Sequence, residues 1–348
     1  MNRTVMNRTV MNNLLFCIIG ALLWGGLKNC AAETHELKAT PATVVWGYYW
    51  AAAKPVLRVK SGDTVRMETV STGSPARFEA AGVAADQISP ALRKIYQEVT
   101  DKGPGGHILT GPVYVEGAEP GDVLEVRIGK IEMMSPYAYN GFRPGSGFLP
   151  DDFAAARMKI IPLDRQRNLA HFSDSITIPC QPFFGSMGVA PPEAKGRVNS
   201  APPGSHAGNL DNKRLVAGTT LFIPVHAKGA LFEAGDGHAG QGNGEVDITA
   251  LETELTGTFQ FIVRKDLHLN WPRAETPTHF ITMGIHEDLT EATKLAVRET
   301  LDFLVSVKGL SREDAYMLAS TAVDFEITQL VDGTKGVHGM IPKGIFKQ

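Results

Sequence analysis

Short runs of alternating apolar and polar residues, rich in β-branched and aromatic side chains and broken by glycine or proline, recur along most of this chain. A side-chain period of two is the pattern of half-buried strands, so these runs restrict the chain to a sheet-based fold. VVWGYYW (44–50) and VLRVKSGDTVRMETV (56–70) read as extended, with a turn at SGD 61–63. VLEVRIGKIEM (123–133) alternates again, LVAGTTLFIPVHAKGALFEAGD (215–236) reads as two strands, and EVDITALETELTGTFQFIVRKDL (245–267) reads as one long β-type segment. A helix is predicted over 86–99, with Ile88, Leu92, Ile95 and Val99 on one face. Another begins after Asp288, with Glu291 at the third helical position of a capping box and Val297, Leu301, Leu304 and Val305 as its apolar face. Gly309 ends it, and Ser311 opens a further helix with Glu313 and Asp314 in the first turn. The expected fold is mainly β, with a sandwich- or barrel-like core, a smaller α/β portion and a late helical hairpin.

The first 32 residues read differently. Arg3 and Arg8 precede an apolar run from Leu14 to Leu27, and small residues follow up to Ala32. That is the layout of a secretory signal peptide, and the run is shorter than the roughly 20 residues a membrane span needs. Residues 33–348 are then the folded region, as one unit or two intimately packed subdomains, with a periplasmic or secreted location and no stable membrane insertion after processing. Cys180 is the one cysteine beyond the leader, so no internal disulfide supports the fold. The whole chain carries a net charge of −3, and removing Arg3, Arg8 and Lys28 leaves −6. A mildly acidic chain lacks the basic surface that nucleic acid requires.

Chemistry is concentrated in two glycine-rich segments. PPGSHAGNLDNKRL (202–215) and ALFEAGDGHAGQGNGEVD (230–247) hold His206, Asn209, Asp211, Glu233, Asp236, His238, Gln241, Asn243, Glu245 and Asp247 between glycines too frequent for a core segment. Asp236 and His238, like Asn209 and Asp211, are two apart, so on a strand each pair shares a face. Carboxylates with an imidazole suit zinc, and an oxygen-richer set suits a harder cation such as calcium. The bare residues equally allow a hydrogen-bonded turn network or a solvated loop. GPGGHILTGPVYVEGAEPGD (103–122) adds His107 and Glu116, the latter at the end of a strand-like run, where a carboxylate can act as a general base. His107 reads equally as a ligand or as a locally hydrogen-bonded histidine. Cys180, flanked by apolar residues, is a poorer nucleophile candidate. Ser186 lacks the GxSxG elbow.

Five segments carry a family resemblance: GPGGHILTGPVYVEGAEPGDVLEVRI (103–128), PFFGSMGVAP (182–191), PPGSHAGNLDNKRLVAGTTLFIPV (202–225), GALFEAGDGHAGQGNGEV (229–246) and ITQLVDGTKGVHGMIPKGIF (327–346). In this order they resemble the acetamidase/formamidase family. The resemblance implies hydrolysis of a short, formamide- or acetamide-like carboxamide to carboxylate and ammonia, homo-oligomeric assembly and a metal-containing pocket. It places Asn209, Asp211, Asp236, His238 and Glu245 around the site, with Glu116 and His107 nearby; we take those five as the metal ligands, with zinc first and calcium or another divalent ion second. Glu116, His107 and Glu245 are the acid–base candidates that go with an activated water. The chain departs from the family pattern at Ala207, where a glycine is usual, and at Asn243, commonly acidic. The alternatives are a cysteine-dependent amidase using Cys180 with Glu116 as base, and a non-catalytic exported β protein that binds a small molecule or carbohydrate.

Overall fold

The computed structural model describes residues 32–347, which form one compact unit. The expected leader lies outside the described residues. No described helix is long and apolar enough to cross a membrane.

Two large sheets make the frame. One has nine strands, in the order Thr34–Leu37, Thr64–Glu68, Leu255–Arg264, Val123–Met133, Thr220–Pro224, Arg273–Glu275, His279–His286, Thr334–Pro342 and Asp324–Asp332. The other runs Ala207–Asn209, Phe183–Gly188, Phe232–His238, Ile108–Val115, Val44–Trp46, with Leu57–Val59 added parallel to Ile108–Val115. Their inner faces meet through aromatic rings. Phe184 and Phe232 from the six-stranded sheet pack on Phe259 and Phe261 from the nine-stranded one, at centroid distances of 5.0–5.5 Å. All four are fully buried, and each contributes about 1.5–3 kcal/mol by leaving water. This is the sandwich packing expected of two sheets with alternating apolar faces.

The SGD turn forms where the sequence places it. The strands on either side of it enter different sheets, so the turn is a crossing between layers. The predicted helix over 86–99 is shorter, Pro90–Glu98, with Ser89 as N-cap accepting from the Leu92 amide. Proline fits the first helical turn but its ring excludes a preceding helical turn, so 85–87 is a separate short 3₁₀ turn. Ile88, Leu92 and Ile95 are buried as expected.

The late hairpin is Leu289–Lys308 and Arg312–Ala322. Asp288 accepts from the Glu291 amide and Gly309 closes the first helix in the left-handed conformation. The Glu291 carboxylate turns to Lys294 rather than completing the box. Leu301 and Leu304 face the sheet and Val305 is exposed, its place on the inner face taken by Phe303. This helix covers the end of the nine-stranded sheet and forms the smaller α/β portion.

Candidate metal centre

The segment 245–267 is not one strand. Only Leu255–Arg264 is extended in the sheet; 245–254 is a loop folded over the end of Phe232–His238. Alternation alone could not show this, because Glu252 and Glu254 satisfy the same pattern as a solvent-facing strand edge. The loop is held by Asn140, whose amide donates to Thr249 Oγ1 at 2.9 Å and to the Ala250 carbonyl at 3.2 Å. It is also pinned at Gly237, whose carbonyl accepts from the Thr253 amide at 2.7 Å. A Cβ at Gly237 would lie 2.7 Å from the Thr253 carbonyl, so only glycine allows this approach. The approach brings Glu252 against His238.

Asp211, Asp236, His238, Glu245 and Glu252 are all buried and meet at one place. Two overlapping donor sets share His238: Asp211, His238, Glu245 and Asp236, His238, Glu252, the donor atoms within each set lying within 4.8 Å of one another. His238 Nε2 is 3.2 Å from Glu252 Oε1 and 3.3 Å from Asp236 Oδ2. Yet it makes no hydrogen bond to either, and Asp211 Oδ1 is equally without one. Buried donors that crowd together without bonding each other are arranged toward a shared point, as cation ligands are.

The imidazole tautomer follows from its neighbours. Gln241 Nε2 donates to the Asp211 carbonyl at 2.9 Å, so Gln241 Oε1 accepts from His238 Nδ1 at 3.0 Å. With Nδ1 committed to Gln241, Nε2 is the ring nitrogen that faces Asp236 and Glu252 and is available to a cation. The set Asp236, His238 and Glu252 is therefore the better formed of the two.

Asn209 is brought to the site but not as a ligand. Ser186 Oγ donates to Asn209 Oδ1 at 2.5 Å, and Asn209 Nδ2 donates to Asp211 Oδ2 at 2.7 Å and Asp332 Oδ2 at 3.1 Å. Flipping the amide would set its oxygen against two carboxylates. It orients both carboxylates, and its oxygen is directed to Ser186 rather than to the cluster.

Backbone strain marks the same place. Asp211, Asp236 and Glu245 have φ of 48°, 55° and 45°, a region that costs a non-glycine residue about 1–2 kcal/mol. Ala207, where the family resemblance leads one to expect glycine, also sits at φ 62°, so a side chain is held in strained left-handed backbone next to the site. Asn243 points elsewhere. It is exposed and donates to Glu326 Oε2 at 2.8 Å, so it takes no charge from the pocket; an acid there would face Glu326.

Charge dominates the energetics. Burial, then Glu245 and Asp332, pushes the Asp211 carboxyl well above its ordinary range. Burial, then Asp332, does the same to Glu245, and burial raises Glu252 and Asp332. Burial opposes ionisation of Asp236 too, but His238 and His107 outweigh it and hold this carboxyl low. Burial disfavours charge on His238, while Glu252 and Asp236 more than compensate and raise its pKa well above the usual value. Four buried acids and the buried His238, with the half-buried Asp332 and His107 beside them, call for added positive charge. The residues thus fit a divalent cation in charge, donor type and convergence.

Glu254, next along the loop, faces away from this cluster and is pushed up to about 7 by burial. Its folded-state pKa is raised, so the folded state binds the proton more tightly. Stability falls as pH climbs from the ordinary carboxylate range to about 7, and the full penalty is present above that. Glu254→Gln is expected to stabilise the protein by about 1–3 kcal/mol at pH 8, an advantage that shrinks toward pH 5. Denaturant unfolding at the two pH values checks this, and equal stabilities at pH 8 would refute it.

A cavity of about 290 Å³ opens onto the centre. His107, Asn209, Asp236, Glu245, Glu252 and Asp332 form its polar floor. His107 Nδ1 is 3.0 Å from Ser200 Oγ and 3.3 Å from the Ser200 carbonyl, which fixes the ring with Nε2 3.9 Å from Asp236 Oδ2. Glu116 does not reach this place. It is exposed, just beyond Val115, while His107 precedes Ile108 at the other end of the same strand. At about 3.3 Å per residue the two lie on the order of 25–30 Å apart. Cys180 is buried away from the cavity, and burial raises its thiol to about 11, so neither half of a Cys180–Glu116 pair is in position. Glu252 and Asp332 were not recognised in the sequence. Glu252 is hidden by strand-like alternation, and Asp332 sits in an Asp–Gly hairpin that reads as an ordinary turn.

These are the features of a β-rich protein with a buried candidate centre for a divalent cation. The chain belongs to the Acetamidase/Formamidase family, whose profile matches residues 43–195 and 192–348. It is similar to a solved acetamidase from Bacillus halodurans, at 31% identity and a TM-score of 0.75 over 89% of this chain and 98% of that one. It is also similar to an acetamidase from Yersinia enterocolitica, at 29% identity and a TM-score of 0.78 over 90% and 93%. A formamidase from Methylophilus methylotrophus is 29% identical over 40% of this chain and 47% of its own, so the chain spans about half the length of that relative.

Proposed function

We propose that this protein hydrolyses short carboxamides to carboxylate and ammonia, using a water activated at a divalent metal centre. The observation that carries the reading is the convergence of Asp236, His238 and Glu252 below the cavity, with His238 Nε2 left without a hydrogen bond. Family membership supports the amide bond as the target. Asp236, His238 and Glu252 would hold the ion, with Asp211 beside them; two carboxylates and an imidazole suit zinc better than calcium, which prefers oxygen alone. When bound, the ion supplies Lewis acidity toward water and the amide carbonyl.

The chain's own residues do the rest. Gln241 fixes the His238 ring, and Asn209, held by Ser186, fixes Asp211 and Asp332. Glu245 faces the cavity, and the raised basicity that burial gives its carboxylate favours taking a proton from water. His107 Nε2 faces the same space and returns a proton to the departing nitrogen. That transfer matters because an amide anion is a very poor leaving group. The C–N bond breaks, the water oxygen joins the acyl carbon, and nitrogen leaves as ammonia. An exported setting, supported by the leader-like residues 1–32, and homo-oligomeric assembly are part of the same proposal.

Ammonia release from a panel of aliphatic amides tests the reading. Chelation is expected to lower the rate by at least about 10³-fold, with recovery on adding back one divalent ion. Full activity after verified metal removal would exclude the metal mechanism. Tight amide binding without ammonia release would favour a binding protein.

A further inference from the structure

Two residues of the cavity take no part in this chemistry. Arg77, on the short helix Pro75–Ala80, and Arg143, just beyond the strand Tyr137–Phe142, both line it. Both are exposed, whereas Asp236, Glu245 and Glu252 are buried. The cavity is therefore divided, with carboxylates at its floor and guanidinium groups toward solvent. Neither arginine has an ion-pair partner among the described residues, so both guanidinium groups at the cavity are open to an anion. Thr72 and the buried Tyr139 also line the cavity, their hydroxyls 2.8 Å apart.

Size points the same way. A volume of about 290 Å³ is the share of roughly ten waters in the liquid. Acetamide, with two carbons, would leave most of it wet. A longer acyl chain would extend from the floor, past Phe142 and Ile248 in the wall, toward the arginines. Guanidinium forks match a carboxylate in shape and charge.

Resting on the amidase reading above, we propose that the preferred substrates are primary amides whose acyl portion ends in a carboxylate. The amide would face the metal-ligand floor and the carboxylate would lie against Arg77 and Arg143. Hydrolysis adds water across the C–N bond and yields a dicarboxylate and ammonia, with no further reactant needed.

The test compares succinamate with butyramide, its neutral counterpart of equal chain length, on the metal-loaded full chain. At low salt, kcat/KM for succinamate is expected to exceed that for butyramide by about tenfold or more, chiefly through KM, and the ratio is expected to fall as ionic strength rises. In the double variant Arg77→Gln/Arg143→Gln the ratio is expected to drop toward one, with folding verified by circular dichroism and thermal melting. A ratio at or below one in the wild type, with butyramide turned over, overturns the proposal and leaves the amidase reading intact. An unchanged ratio in the folded double variant also overturns it. Release of ammonia from neither amide removes the amidase reading and this inference together.

Discussion

Replacing His238 by alanine is expected to cost the protein its bound metal and at least about 10³-fold in amide hydrolysis. His238 is the residue both donor sets share, so its loss breaks each of them. The effect also reaches stability. His238 is the imidazole closest to Asp236 and Glu252, and without it those carboxylates are left buried beside Asp211, Glu245 and Asp332 with less positive charge to offset them. Melting temperature should therefore fall more steeply toward high pH in the variant, where the acids whose pKa is raised lose their protons. Metal content, turnover and melting curves at two pH values check this together. Normal metal content with normal turnover would sink the assignment.

Gly185→Ala is expected to lower metal occupancy and activity by at least about 100-fold while leaving the protein folded. Gly185 lies in the strand Phe183–Gly188 with no side chain between its backbone and the cluster. A Cβ there would be 2.5 Å from Asp236 Oδ2, 2.9 Å from His238 Cε1 and closer still to Asp211 Oδ1. These atoms cannot move far, because Asp211 and Asp236 are held in left-handed backbone and His238 is fixed by Gln241. The strand itself tolerates alanine, since Gly185 does not have positive φ, and its neighbour Phe184 keeps its contact with Phe259 across the core. The prediction separates site from scaffold: metal content and turnover should collapse while the variant still folds cooperatively, with overpacking costing only about 1–3 kcal/mol of stability. Unaltered metal binding in the variant would show that the space over Gly185 is not used.

Much of the site was legible because it is local. Asp236 and His238 are two residues apart, and Asn209 and Asp211 likewise, so short-range geometry alone makes each pair neighbours. The density of glycine in 204–245 marked the segment but misled about burial: Phe232–His238 is a fully buried strand, and its glycines let the backbone run close against neighbouring chain at Gly235 and Gly237. The strand pattern likewise identified the sheets, since side-chain alternation is a property of each strand by itself.

Glu116 shows where local reasoning stops. Its position at a strand end was read correctly, but each strand has two ends and only one faces the cavity. His107 occupies that end, and the pairing of Ile108–Val115 between Phe232–His238 and Val44–Trp46 decides which one it is. Glu252 reaches His238 through a bridge between a loop and a strand end, and Asp332 arrives from a hairpin more than 120 residues beyond Asn209 through their hydrogen bond. Asn209 is a further case: its type suggested a ligand, and only the position of Ser186 shows that its oxygen turns to a hydroxyl while its amide nitrogen holds the two carboxylates.

The sequence by itself determined a sheet-based fold with a late helical hairpin and singled out Asp211, Asp236, His238 and Glu245 as candidates, because periodicity and short spacing are local properties of a chain. Only the tertiary structure decided that Glu252 and Asp332 join them, that Glu116 and Cys180 do not, and that two arginines stand over the cavity. Those are matters of strand order and loop packing, and they depend on contacts between residues far apart in the chain that no local pattern encodes.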